Sequence, residues 1–146
     1  MTQTDVDILL VEDTRSDAEM TIRALTKNLS RQSILHLEDG REALDYLFSI
    51  NNYSAKGATK MPRVVLMDLK MPRIDGIEAL AQLKSNELTR KIPVVMLTSS
   101  RENPDIQKCY ELGANSYIVK PVEFADFSKV VSDLGLYWLS HNQPSA

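Results

Sequence analysis

The chain has 146 residues, 43% hydrophobic and 25% charged, which fits one globular domain and argues against disorder. A net charge of −3 leaves no basic footprint for nucleic acid, and no apolar run approaches the ~20 residues of a membrane span. The single cysteine, Cys109, excludes an internal disulfide, and the opening MTQTDVD lacks the basic and apolar parts of a secretory signal, so a cytoplasmic location is expected.

Five β-rich runs alternate with helical patterns. The first run, VDILLVE (6–12), is nearly continuous in apolar residues, as strands covered on both faces of a parallel sheet are. Ala18, Ile22, Leu25 and Leu29 then form one helical stripe. SILHLE (33–38) alternates His36 and Glu38 with Leu35 and Leu37, the pattern of an edge strand. Asp39 caps a second helix carrying Ala43, Leu44, Leu47 and Phe48, and NNYSAKGATK (51–60) reads as a polar surface insertion.

RVVLMD (63–68) is the third run, and Asp75 caps a helix with Ile77, Leu80 and Leu83. IPVVMLT (92–98) is the fourth. Asn103-Pro104 reads as cap and first residue of the next helix, with Gly113 as its stop. NSYIVK (115–120) is the fifth run, the opposite edge. Phe124, Phe127, Val130, Val131, Leu134 and Trp138 make the last stripe. This (βα)5 alternation predicts an α/β domain with a doubly wound parallel sheet and right-handed crossovers.

In such sheets ligands sit outside the carboxyl ends of the strands. The first run ends in Glu12-Asp13, the third in Asp68, the fourth in Thr98-Ser99-Ser100 and the fifth in Lys120-Pro121. Each alone has an ordinary explanation as a loop residue or helix cap. Together they put three acids, a hydroxyl and an ammonium on one rim. Converging carboxylates repel, and a divalent cation relieves that repulsion; a water-rich oxygen site suits Mg²⁺. Lys120 and Thr98 would hold phosphoryl oxygens, and Asp68 is the central acid, a carboxylate nucleophile.

LLVED, LMDLKMPRIDG, MLTSS and YIVKP, in that order and spacing, resemble the motifs of receiver domains of two-component response regulators, over roughly residues 6–134. The resemblance implies the flavodoxin-like fold with strand order 2-1-3-4-5. It implies that Asp68 accepts a phosphoryl group from a sensor histidine kinase or phosphotransfer protein. Asp13, Asp68 and the carbonyl of Lys70 would ligate Mg²⁺, with Glu12 acting mainly through water. Lys120 would contact the phosphoryl group, Thr98 and Tyr117 would be the switch pair, and the bond before Pro121 would be cis. The surface would change, or the phosphoryl group pass on, through protein contacts; the domain is not expected to be an enzyme beyond assisting its own phosphorylation and dephosphorylation.

Two rivals fare worse. A pseudo-receiver would have lost an acid, the threonine or the lysine, and all stand here. A haloacid-dehalogenase-type phosphatase needs a second acid two residues after the first, where Lys70 stands. Residues 1–146 read as one receiver domain with a core at about 6–134 and a helical extension and tail at 135–146, a stand-alone regulator. DLGLYWLSHN, IPVVMLTSS and the long loop before the third run resemble the regulators that accompany phytochrome-type kinases, with other sensor kinases as the alternative. Tyr137, with Leu136 or Leu139, is left facing partly outward. It either ends a helix that covers its own neighbours or serves a homodimer through the face of helix 4, strand 5 and helix 5.

Overall fold

The computed structural model describes residues 6–54 and 61–144. Five strands, β1 (Ile8–Val11), β2 (Ile34–Leu37), β3 (Val64–Met67), β4 (Val94–Thr98) and β5 (Ser116–Val119), form one parallel sheet in the order β2-β1-β3-β4-β5. The register pairs Val11 with Met67 and Leu10 with Leu66, so β1 and β3 end side by side. Helices α1 (Arg15–Leu25), α2 (Gly40–Ser54), α3 (Gly76–Ser85), α4 (Asn103–Leu112) and α5 (Phe124–Leu136) alternate with the strands. This is the expected doubly wound fold, with β2 and β5 at the edges.

The continuous apolar runs follow from burial on both faces. Side chains along a strand alternate in direction. Leu9, Val11, Val65, Met67, Val94 and Met96 pack with Ala43, Leu47, Leu80, Leu83 and Cys109, from α2, α3 and α4. Ile8, Leu10, Val64, Leu66, Val95 and Leu97 face the other way, onto Ala18, Leu25, Phe127, Val131 and Trp138. Full burial of such a side chain stabilises by about 1.5–3 kcal/mol, so both layers hold the strand ends rigidly.

The caps act largely as expected. Asp39 Oδ1 accepts from the Glu42 amide at 2.9 Å, and Asp75 from the Glu78 amide at 2.8 Å. Gly113 ends α4 at φ 109°, a left-handed conformation that glycine takes without a Cβ penalty.

Four expectations are corrected. The cap of α4 is Glu102, one residue before the expected Asn103; Asn103 and Pro104 lie within the first turn, where a proline costs no hydrogen bond. Helix α2 runs on through residues 51–54 of the expected insertion, because a polar stretch can extend a helix already anchored by its apolar stripe; residues 55–60 lie outside the described residues. Phe124 opens α5 but is 54% exposed, since the first turn overhangs the sheet and the buried stripe begins at Phe127. No peptide bond among the described residues is cis, so the bond before Pro121 is trans, the isomer that an X-Pro amide intrinsically favours by about 0.5–1 kcal/mol. Beyond α5 the chain continues as one π-helical turn, Tyr137–His141, whose Leu139 carbonyl accepts from Arg63 Nη1 at 2.6 Å.

Candidate functional site

The carboxyl ends of β1, β3, β4 and β5 form the rim. Glu12 and Asp13 follow β1, Asp68 follows β3, Thr98 closes β4 and Lys120 follows β5. Main-chain bonds fix these ends: Glu12 N donates to Leu37 O (3.0 Å), Asp68 N to Val11 O (3.1 Å) and Lys120 N to Thr98 O (2.7 Å). The edge strand contributes too, since His36 Nε2 bonds the Glu12 carbonyl at 2.8 Å.

The side chains converge as the strand ends predict. Glu12, Asp13 and Asp68 each offer a carboxylate oxygen, and the three lie within 4.8 Å of one another. Glu12 is buried, Asp68 half-buried and Asp13 exposed, so the cluster opens to solvent on one side. An oxygen-only, carboxylate-rich donor set that is open to water fits a hard divalent cation. A cleft of about 330 Å³ beside it is lined by Asp68, Lys70, Thr98, Ser99, Ser100, Arg101 and Glu102.

Lys120 crosses the rim from the fifth strand. Its Nζ donates to Glu12 Oε1 at 2.6 Å and to Asp17 Oδ2 at 2.9 Å, and stands 3.6 Å from Asp68 Oδ2. Burial pushes the Glu12 carboxyl up to about 7 against the hydrogen bond from Lys120, with the charge of Asp68 adding to the rise. Burial also disfavours the Lys120 ammonium. The hydrogen bonds and charges of Glu12, Asp17 and Asp68 overcome that and hold it up at about 12. The lysine therefore stays charged throughout the physiological range.

Asp17 was not among the residues singled out from the sequence. It sits in the first turn of α1, one turn after Asp13, and that spacing from a rim acid was the available signal. Asp68 itself is oriented by the Leu69 amide, which donates to its Oδ1 at 2.7 Å.

Thr98 and Tyr117 meet through one turn rather than directly. The Ser100 amide donates to Thr98 Oγ1 at 3.3 Å, and the Tyr117 hydroxyl donates to the Ser100 carbonyl at 3.0 Å. The Ser100 hydroxyl in turn donates to Asp105 Oδ2 of α4 at 2.7 Å. Burial raises the Tyr117 phenol above its ordinary value, against the hydrogen bond to Ser100. A change at Thr98 thus has a short physical route to α4 and β5.

Residues 8–132 match the family model described as the response regulator receiver domain. The probable methanogenesis regulatory protein FilR2 of Methanothrix harundinacea is 40% identical over 136 residues, spanning 93% of this chain and 85% of that protein. The crystal structure of the phosphorylated cyanobacterial phytochrome response regulator RcpA superposes with a TM-score of 0.86 at 31% identity, over 98% of this chain and 100% of that one. The Mn²⁺-bound form of Rcp1, a response regulator from Synechocystis, superposes with a TM-score of 0.85 at 33% identity, again over 98% and 100%.

Proposed function

The chain belongs to the response regulator receiver family, and from that membership we propose that it takes a phosphoryl group onto Asp68 from a phosphohistidine of a sensor kinase or phosphotransfer protein. An Asp68 carboxylate oxygen attacks phosphorus, the P–N bond breaks, and the imidazole nitrogen leaves with the bonding pair and picks up a proton. The observation that carries this reading is the position of Asp68. It ends a central strand, with Glu12 and Asp13 within 4.8 Å and the Lys120 ammonium at 3.6 Å.

Glu12, Asp13, Asp68 and the Lys70 carbonyl are the groups that would hold Mg²⁺, and the existence of an Mn²⁺-bound form of Rcp1 favours a divalent ion. When bound, the metal supplies positive charge to the phosphoryl oxygens. Lys120 supplies the rest from the protein, as a permanently charged ammonium 3.6 Å from Asp68, for charge that builds during transfer. Thr98 and Tyr117 then read the modified state through the Ser100 turn. Hydrolysis of the acyl phosphate by water at the same site returns the resting form.

Likeness to the phytochrome response regulator RcpA supports a phytochrome-type kinase as the phosphoryl source, and the reading takes residues 1–146 as one receiver unit acting in the cytoplasm. Tyr137 is half exposed and meets Trp138 edge-on at 5.1 Å, and Tyr110 of α4 is similarly exposed, which supports a homodimer through α4, β5 and α5. Light scattering on wild type and Tyr137→Ala, with and without beryllofluoride, tests the dimer; a monomer throughout removes it. Acetyl phosphate with Mg²⁺, followed by intact-mass analysis, tests the acceptor. One phosphoryl group on wild type and none on Asp68→Asn is expected, and equal labelling of both overturns the assignment.

A further inference from the structure

Lys120 makes a contact that phosphoryl transfer does not need. An ammonium has three N–H donors. Two are committed, to Glu12 at 2.6 Å and to Asp17 at 2.9 Å. Asp68 is left at 3.6 Å, beyond the usual 2.7–3.2 Å of an N–H···O bond. The lysine that should face the acceptor is therefore drawn toward α1.

The two partners differ in how readily they let go. The Glu12 side chain is only 3% exposed, so losing the lysine would leave a buried carboxyl with little water to replace that partner. The Asp17 side chain is 31% exposed and sits in the first turn of α1, where water and the helix N-terminus both stabilise a free carboxylate. Of the two bonds, the one to Asp17 breaks at the lower cost.

We propose that Asp17 is a positioning residue that latches the Lys120 ammonium away from Asp68 in the resting protein and gives it up when a phosphoryl group arrives. The latch rests on the reading of Asp68 as phosphoacceptor. It adds a competitor within the site: a fourth acid that does not share the metal cluster but holds back the cation serving the transition state. Its strength sets how much of the Lys120 charge is free for the incoming phosphoryl oxygens.

The test follows the rate of acetyl phosphate labelling at fixed Mg²⁺ by intact mass, in wild type, Asp17→Asn, Asp17→Glu, Lys120→Gln and the Asp17→Asn/Lys120→Gln double variant. A charge-assisted hydrogen bond of this kind corresponds to about a tenfold change, so Asp17→Asn is expected to label about ten times faster. Asp17→Glu, which keeps the carboxylate, is expected to stay near wild type. The gain from Asp17→Asn is expected to vanish in the Lys120→Gln background. Removing a structural ion pair or a bulk negative charge would act with or without the lysine, so an equal gain in that background overturns the latch. So does an Asp17→Asn variant that labels at the wild-type rate or slower. A wild type that takes no phosphoryl group overturns the acceptor reading and the latch together, whereas normal wild-type labelling with an unresponsive Asp17→Asn overturns the latch alone.

Discussion

Arg73 holds Asp39 at the carboxyl end of the sheet: Nη2 and Nε lie 2.7 and 2.9 Å from Asp39 Oδ2, while Oδ1 caps α2. The bond ties the loop that carries Asp68 into α3 to the start of α2. Arg73 makes it from φ 64°, the one positive φ at a non-glycine position among the described residues. Left-handed backbone costs a residue with a Cβ about 1–2 kcal/mol. Two substitutions separate the clamp from the backbone. Arg73→Ala and Arg73→Gly both lose the guanidinium, but only glycine relieves the strain. Urea denaturation is expected to find the alanine variant less stable than the glycine variant by about 1 kcal/mol. Equal stabilities would mean that the loop relaxes out of the left-handed region once the side chain is gone.

The same pair predicts a dependence on pH. Burial pushes the Asp39 carboxyl up, but the Glu42 amide and the Arg73 guanidinium outweigh it and hold the group below its ordinary value. An acid whose value is lowered on folding adds stability that is complete above its unfolded value and is lost as pH falls through the folded one. The stability gap between wild type and Asp39→Asn is therefore expected to be constant from neutral pH down to about 4 and to narrow below that. Denaturant titrations across pH 3–7 would show it. A gap that is flat over the whole range contradicts the assignment.

Gly76 is required by space. A Cβ there would collide with the backbone oxygen of Asp68 and lie 2.9 Å from Leu69 Cα, and backbone cannot step aside as a side chain can. Gly76→Ala is expected to destabilise by about 3 kcal/mol. Gly135 is the contrast. Its added methyl would meet only the tips of Leu25 and Leu29, and it stands inside α5, where alanine is the better helix former. Gly135→Ala is expected to stay within about 1 kcal/mol of wild type. The two midpoints in guanidinium chloride decide between crowding at Gly76 and a general intolerance of alanine.

The acid cluster predicts a metal response. Folding brings Glu12, Asp13 and Asp68 within 4.8 Å, a repulsion that the unfolded chain avoids. Asp13→Asn is expected to raise the melting temperature in EDTA and to blunt the rise on adding Mg²⁺. A ligand specific to the folded state stabilises by about 2.7 kcal/mol at a hundredfold excess over its dissociation constant, so the wild-type shift should be readily measured. An Mg²⁺ shift that is undiminished in Asp13→Asn places the ion elsewhere.

Much of this molecule is legible along the chain because its logic is local. A strand buried on both faces shows itself as a run such as ILLV or VVLM, whatever it packs against. Caps are equally local: Asp39, Asp75 and Gly113 act on amides or carbonyls within a few residues. Once the runs are known to be parallel strands, their last residues must share a rim, so Glu12, Asp13, Asp68, Thr98 and Lys120 are found together without coordinates. What the chain could not show is which partner each rim residue takes. Lys120 meets Asp17 across 103 positions and Arg73 meets Asp39 across 34, and no periodicity encodes a contact between two polar side chains on different elements. The exposure of Phe124 is of the same kind, because a helical stripe gives the face of a helix but not where the helix overhangs its sheet. Apolar burial is a property of a pattern and is written into every residue of it. Polar pairing depends on distances of a few tenths of an ångström, and only the packed layers set those.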